Sequence, residues 1–373
     1  MHKQLDDWFL QYNTLTVQGR KKGLFGSALK KTVKPLKKGT ALTNLRAAAC
    51  KHPEVMIKIP KRRNGNSKGM QDIRNHLDYI SRNGKTEVET NFGEKLKNKT
   101  DLKKHLDTWR DTFGIADKTK HREALNIVLS MPAGTPPQAV KNAAREFAAE
   151  QFAGHEYAFA LHTDTDNPNE PAHPHVHLCV LIRDQWGERI NPRKNDLFQW
   201  RVRFAEKLRD EGIQCAATRR QHRGKITKAH NGTVLSIDKR LAAQNRQHPE
   251  KYPPYSHITA IGLNALRDAV KTGRRPENPY REKIRNTREH LLKQYKSLAR
   301  QLYASGMKSE ARDIAKLAKQ LEHSDYDTRI QRDYDISLEK LGQRKQQRKQ
   351  TSGCQDYSTP IPKNIDKDEE IRR

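Results

Sequence analysis

Three histidines stand close together in a segment that otherwise consists mainly of apolar residues. His173, His175 and His177 alternate with other residues, and the segment continues as Leu178-Cys179-Val180. If this segment is a strand, the alternation places the three imidazoles on one face of it. Neutral imidazoles are common ligands of divalent transition metals, and two of them spaced two residues apart on one face can bind a single ion. A single histidine on a sheet is usually only a polar surface residue, but this cluster predicts a metal site.

His173 and His177 are too far apart for all three histidines to bind the same ion. Four strand residues span roughly 13 Å at about 3.3 Å per residue, whereas metal–nitrogen bonds are about 2.1 Å long. His162 ends the preceding predicted strand and is better placed. The predicted ligands are therefore His162, His175 and His177, and His173 is expected to lie nearby without binding. Asp164 follows His162 closely and is predicted to orient an imidazole, fix its tautomer or act as a general base.

Tyr79 is the candidate nucleophile that such a metal site would assist. A metal held by three side chains keeps coordination positions open, which suits polarisation of a phosphoryl oxygen. In the predicted helix 70–83, a buried stripe of Ile73, Leu77 and Ile80 leaves Tyr79 about 120° away, on the polar side. A phenolate can attack phosphorus and leave a covalent phosphotyrosine. An exposed tyrosine usually has no catalytic role, so this prediction depends on the histidines and on the charge of the chain.

The charge of the chain predicts a polyanionic partner. Lysine and arginine outnumber the acidic residues by 73 to 44, which gives a formal net charge of +29 and favours nucleic acid. The four cysteines have no paired spacing, so neither a disulfide framework nor a thiolate zinc site is indicated. No apolar stretch approaches the roughly 20 residues needed to span a bilayer, and the start of the sequence has no secretory signal. We therefore expect a cytoplasmic protein without membrane insertion.

The elements that must position these residues alternate between strands and helices. The predicted strands are 55–59, 124–131, 157–162 and 176–182, and the predicted helices are 70–83, 136–153 and 197–208. The loop from 163 to 174 is short enough to join antiparallel neighbours. The expected fold class is α+β, a central antiparallel sheet with helices packed on one face, followed by a mostly α-helical C-terminal region.

Changes in composition divide the chain into four predicted parts. Residues 1–53 are expected to form a basic N-terminal arm, and residues 54–215 the catalytic domain. Residues 216–349 have leucines at helical intervals among many charged residues and are predicted to be a basic helical region that binds DNA or a partner. A plain helical scaffold is the alternative for this region. Only 34% of residues are hydrophobic, and the polar segment 350–373 is expected to be a disordered tail.

Three segments occur in the order and rough spacing of the three relaxase motifs. They are His76-Leu77-Asp78-Tyr79-Ile80-Ser81-Arg82-Asn83-Gly84-Lys85, Asn126-Ile127-Val128-Leu129-Ser130-Met131-Pro132, and His162-Thr163-Asp164 through His175-Val176-His177. Together they resemble the MobA/TraI-type mobilisation relaxases of the MOB-P group, within the HUH (histidine-hydrophobic-histidine) endonuclease superfamily. The resemblance covers about residues 54–215, and it implies an HUH relaxase core.

The resemblance also implies a role for each site residue. Tyr79 would be the nucleophile that becomes joined to the 5′ phosphate, leaving a free 3′ hydroxyl. Ser130 would contact DNA near the cut, and His162 would be either a metal ligand or the base that activates the tyrosine. Only one tyrosine occurs in the first motif, which fits an enzyme that nicks once and rejoins once.

The activity implied is that of a DNA relaxase, a site- and strand-specific endonuclease and strand transferase. It would nick one strand at a plasmid origin of transfer by metal-assisted tyrosine attack, stay covalently attached to the 5′ phosphate, and rejoin the strand after mobilisation or conjugative transfer. The cofactor would be a divalent ion. Histidine ligation favours Mn²⁺ or Zn²⁺, whereas cellular abundance favours Mg²⁺.

The partners implied are single-stranded DNA at the origin of transfer, accessory mobilisation proteins of the relaxosome, and a coupling protein with type IV secretion machinery. The protein would act in the bacterial cytoplasm and could be transferred with the DNA to a recipient cell. Two other functions stay open. A rolling-circle replication initiator uses the same chemistry, and replication from the nick without a conjugation apparatus would reveal it. A non-catalytic basic DNA-binding protein would be unaffected by Tyr79→Phe.

Overall fold

The structure is a computed structural model that describes residues 2–11, 34–60, 69–163, 173–227 and 232–352. The chain divides into two compact units, one formed by Met1–Lys225 with Arg285–Ser324 and the other by Ile226–Ile284 with Asp325–Arg373. The helices, in chain order, are α1 His2–Leu10, α2 Thr40–Ala49, α3 Met70–Ile80, α4 Lys99–Phe113, α5 Pro137–Gln151, α6 Lys194–Asp210, α7 Gly232–Gln247, α8 His257–Thr272, α9 Arg281–Ala304, α10 Lys308–Glu322 and α11 Arg329–Ser352.

An antiparallel sheet, whose strands differ in length, forms the centre of the first unit. In the described part of that unit its strands are β1 Met56–Lys58, β2 Val88–Thr90, β3 Lys95–Leu96, β4 Ala124–Ser130, β5 Tyr157–His162 and β6 His175–Leu181. They lie in the order β1-β4-β6-β5-β2-β3, and each neighbouring pair is antiparallel. The predicted α+β class is therefore confirmed, including the antiparallel pairing of β5 with β6 across the 163–174 loop.

Helices cover both faces of this sheet, so the prediction of helices on one face is wrong. Every residue of β6 is buried. Val176, Leu178 and Val180 pack into a core with residues of α1, α2, α5, α6, α9 and α10. Cys179 and Leu181 point to the opposite face and pack with residues of α3 and α4. Because the central strand is apolar on both sides, each side requires its own helical layer.

The described parts of the predicted N-terminal arm, residues 1–53, belong to the core of the first unit. Phe9 of α1 and Ala41 and Leu45 of α2 are fully buried. The Asp6 carboxylate accepts hydrogen bonds from the backbone N–H groups of Gly39 and Ala41, both 2.8 Å long, and so caps the start of α2. The arm prediction is therefore wrong for these helices, whereas the lysine-rich residues 12–33 lie outside the described residues.

The C-terminal region is helical, as predicted, but part of it completes the first unit. Apolar residues of α9 and α10, among them Leu291, Tyr295 and Ile314, are buried in the same core as the sheet. In the second unit Arg275 forms ion pairs with Asp327 and Asp335, 2.9 and 2.6 Å long. Most of the predicted tail lies outside the described residues. Among the helices described, none combines the length and apolar composition needed to cross a membrane.

Candidate active site

Three buried histidines converge at one end of the sheet, on the α3 face. His162 of β5 lies directly opposite His175 of β6, and His177 lies opposite Ala160. One potential ligand nitrogen from each of His162, His175 and His177 lies within 4.8 Å of the other two. We call these residues the histidine triad. They converge because directly paired residues of antiparallel strands project to the same face.

Backbone carbonyls fix the orientation of two members of the triad. His162 Nε2 lies 2.7 Å from the Ile80 carbonyl oxygen, and His175 Nδ1 lies 3.0 Å from the His173 carbonyl oxygen. A carbonyl can only accept, so each of these ring nitrogens carries the proton and donates. In the neutral ring the other nitrogen then holds a lone pair. This leaves His162 Nδ1 and His175 Nε2 free of a proton and able to bind a metal, and outer hydrogen bonds of this kind orient metal-binding imidazoles.

His177 provides the test of whether the site fits a metal. Its Nε2 atom is buried and has no hydrogen-bond partner among the described residues. Burial, and then the positive charges of the neighbouring histidines and Arg82, lowers the pKa of His177 to about 2. The ring is therefore neutral at physiological pH, and a buried nitrogen without a partner suits a coordinated ion. The histidine triad thus fits a divalent metal.

Among the described residues, the histidines whose potential ligand nitrogens converge are His162, His175 and His177, and His173 is not one of them. The His173 ring centroid lies 5.4 Å from that of His175, and the His173 backbone carbonyl accepts the hydrogen bond from His175 Nδ1. The pKa of His173 is lowered mainly by burial, and also by the charges of His175 and Lys58. Asp164, the predicted orienting or basic residue, lies outside the described residues.

Tyr79 lies beside the triad on the exposed side of α3. Its side chain is 58% exposed, and its ring centroid is 5.4 Å from that of His177 and 6.2 Å from that of His162. The helix presents it this way because Ile73, Leu77 and Ile80 are buried against the sheet. Tyr79 is therefore accessible from the surface while its ring lies against the histidines.

The end of α3 is joined directly to the triad. The last carbonyls of a helix have no partner within the helix, and the Ile80 carbonyl finds one in His162. The helix ends at Ile80, three residues before the predicted end, because Arg82, Asn83 and Gly84 adopt positive φ angles of 50°, 58° and 83°. This turn sets the position of Tyr79 relative to His162.

Gly84→Ala should lower the free energy of unfolding by about 1–3 kcal/mol. A Cβ at Gly84 would lie 2.8 Å from the Lys99 backbone nitrogen, and the φ angle of +83° is itself unfavourable for alanine. Gly93 is a matched control, because its φ is also positive, at +78°, but a Cβ added there would have no described heavy atom within 4 Å. Urea unfolding should show a clearly smaller loss for Gly93→Ala. Equal losses for the two variants would mean that contact with α4 does not restrain the turn.

Ser130 lies in the same row of the sheet as two triad residues. It pairs with His175 of β6, which in turn pairs with His162 of β5, so all three side chains project to the α3 face. The structure thus brings Tyr79, Ser130 and the three predicted ligands to one end of the sheet. These five residues come from four elements, α3, β4, β5 and β6.

His76 is a site residue to which the sequence reasoning assigned no role. It is buried on α3, and its ring centroid lies 6.4 Å from those of both Tyr79 and His177. The signal available in the sequence is its position three residues before Tyr79, which places both side chains on the same side of the helix. The sequence reasoning also assigned no role to Arg82, whose positive charge helps to lower the pKa of His177.

Comparison with known families identifies the region that carries this site. Residues 79–213 match the family model for the relaxase MobA/VirD2-like nuclease domain. Over these residues the chain is similar to a relaxase nuclease domain. The match confirms the predicted resemblance to relaxases.

Three curated relatives are T-DNA border endonucleases VirD2. The chain is 30% identical over 202 residues to the protein of Agrobacterium fabrum strain C58, which covers 46% of this chain and 41% of the relative. It is 32% identical over 201 residues to that of Rhizobium radiobacter, covering 46% and 43%. It is 30% identical over 202 residues to that of Rhizobium rhizogenes, which covers 46% of this chain and 42% of the relative. The chain thus spans less than half the length of these relatives.

Proposed function

We propose that this chain is a relaxase that nicks one DNA strand at a plasmid origin of transfer, with Tyr79 as the nucleophile. The observation that carries the proposal is the position of an exposed tyrosine ring 5.4 Å from His177, beside three buried histidines. The relatives named T-DNA border endonuclease support strand cleavage that serves DNA transfer. They favour this function over a rolling-circle initiator.

The reaction exchanges one phosphodiester for another. The Tyr79 hydroxyl oxygen forms a bond to the scissile phosphorus, and the bond from phosphorus to the 3′ oxygen breaks in line with it. The leaving 3′ oxygen takes up a proton, and the tyrosine gives one up. No water is consumed, so the bond energy is kept in the phosphotyrosine. Attack by a 3′ hydroxyl on that ester rejoins the strand without ATP.

The residues around Tyr79 have distinct proposed tasks. His162, His175 and His177 hold the divalent ion, which would polarise a non-bridging oxygen of the scissile phosphate. For His162 the hydrogen bond from Nε2 to Ile80 supports a role as ligand rather than base, since only Nδ1 is then directed to the other histidines. Ser130 contacts the DNA beside the cut, and Asp164 remains a proposed orienting group or base.

The ion and the partners belong to the same proposal. We infer Mg²⁺ or Mn²⁺ as the native ion, with Zn²⁺ as the alternative that histidine ligands also accept. The net charge of +29 supports single-stranded DNA as substrate and helps to retain it. Accessory mobilisation proteins, a coupling protein and type IV secretion machinery are proposed partners in the bacterial cytoplasm, with passage into a recipient cell. The basic helices of the second unit are proposed to bind DNA or one of these proteins.

The test is incubation of the full chain with end-labelled oligonucleotides that cover each strand of its plasmid's transfer origin, with Mn²⁺ or with EDTA. We expect one strand to yield a labelled covalent adduct in denaturing gels, with an equal amount of free 3′ hydroxyl product, and only when metal is present. If wild-type protein yields no adduct on either strand, or releases a free 5′ phosphate, the proposal is wrong.

A further inference from the structure

An exposed strip of the sheet lies next to the histidine triad, on edge strand β1. Met56 pairs with Ser130 of β4, and Lys58 pairs with Val128. Ser130 and Val128 pair in turn with His175 and His177 of β6. Met56 and Lys58 therefore occupy the same two rows of the sheet as the triad, and they project to the same face.

Within the part of the chain that the structure describes, the α3 face of the sheet is exposed at β1 and partly exposed at β4. Met56 is 41% exposed, and Lys58 is also exposed, whereas Ile57 between them is buried on the opposite face. Val128 is half-buried, although the triad residues in the neighbouring strand are buried. We call Met56, Lys58 and Val128 the β1 shelf. It begins one strand away from the triad and continues to the edge of the sheet.

The shelf has the two kinds of group that bind a single nucleic acid strand. In the part of the chain that the structure describes, no carboxylate lies within ion-pair distance of Lys58, so its ammonium can neutralise a phosphate. A thioether side chain such as Met56 packs well against the edge or face of an aromatic ring, and every nucleobase has such a face. Two strand spacings, about 10 Å, separate the Cα atoms of Lys58 and His177. This separation suits a strand that has one phosphate at the triad and the next nucleotides on the shelf.

We propose that the β1 shelf binds the nucleotides adjacent to the scissile phosphate, with Lys58 on a backbone phosphate and Met56 against a base. The proposal rests on the proposed function, because it takes single-stranded DNA as the substrate at the triad. The family match begins at Tyr79, so β1 lies outside it.

The experiment measures binding of a fluorescein-labelled single strand from the transfer origin, about 20 nucleotides long, to the full chain across a range of salt concentrations. Lys58→Gln should raise the dissociation constant about tenfold at low salt and reduce the slope of log K against log salt by about 0.7, the value for one phosphate. Lys58→Arg should retain the wild-type slope. Met56→Ala should weaken binding about fivefold with the slope unchanged.

Lys97→Gln is the matched control, because Lys97 is an exposed lysine that follows the opposite edge strand, β3. It should bind with the wild-type slope. If Lys58→Gln has the same slope as Lys97→Gln, or if no single strand binds, the shelf does not hold DNA. These results are independent of cleavage. A wild-type protein that binds but forms no covalent adduct would overturn the proposed function, and the binding slopes would still decide the role of the shelf.

Discussion

His177→Ala should abolish binding of the divalent ion at the triad and reduce strand cleavage by at least about 10³-fold. His177 is the central member of the triad, with its Nε2 atom buried and its pKa lowered to about 2 by burial and neighbouring charges. With alanine there, two imidazoles remain, too few to hold the ion tightly. Calorimetric titration with Mn²⁺ measures the affinity directly, and thermal unfolding with and without Mn²⁺ measures its effect on stability.

The stability measurement separates loss of the ion from damage to the fold. A ligand present at 100 times its dissociation constant stabilises the folded state by about 2.7 kcal/mol, so wild-type protein should unfold at a higher temperature with Mn²⁺. His155→Ala is the control, because His155 is a buried histidine at the other end of the sheet, with Nδ1 3.1 Å from the Leu181 carbonyl oxygen. It should lower stability but keep the Mn²⁺ effect. If His177→Ala still binds Mn²⁺ within about twofold of wild type, the triad is not the metal site.

Tyr79→Phe should eliminate the covalent adduct and lower the cleavage rate by at least about 10³-fold. The substitution removes one hydroxyl from a ring that is 58% exposed, so it leaves no cavity. The metal and the DNA contacts are retained. Affinity for the single strand should therefore stay within about twofold of wild type. Denaturing gels measure the adduct, and fluorescence polarisation measures binding.

Tyr303→Phe provides a control for general effects of removing a tyrosine hydroxyl. Tyr303 of α9 is similarly exposed, at 64%, and no catalytic role is proposed for it. Its variant should cleave at the wild-type rate. If Tyr79→Phe retains the adduct, another residue is the nucleophile. If it loses DNA affinity to the same degree as activity, Tyr79 acts in binding rather than in chemistry.

Strong local patterns made the central strands of the fold predictable. β4, β5 and β6 are six or seven residues long and mainly apolar, and their ends lie within one residue of the predictions. β2 and β3 are three and two residues long, too short to show a period. α2 is only ten residues long, and its alanines and leucines favour a helix. The lysine-rich sequence beside it then favoured the interpretation as an arm.

The convergence of the three histidines was predictable, but the packing of α3 against them was not. Alternation along β6 and the end of β5 suffice to bring His162, His175 and His177 together. The hydrogen bond from His162 to Ile80 joins residues that are 82 positions apart, and it depends on packing of the helix against the sheet. The same packing brings His76 to the triad. Helical spacing indicates which side of α3 is polar, but it does not indicate which residues of the sheet that side contacts.

The most direct test of the central claim is to map the covalent adduct to a residue. Wild-type protein is allowed to cleave an origin strand that ends a few nucleotides after the nick, then digested with protease and analysed by tandem mass spectrometry. The account predicts that the nucleotide mass is attached through a 5′ phosphate to Tyr79 and to no other residue. An adduct on a different side chain, or cleavage that leaves a free 5′ phosphate and an unmodified Tyr79, would contradict it.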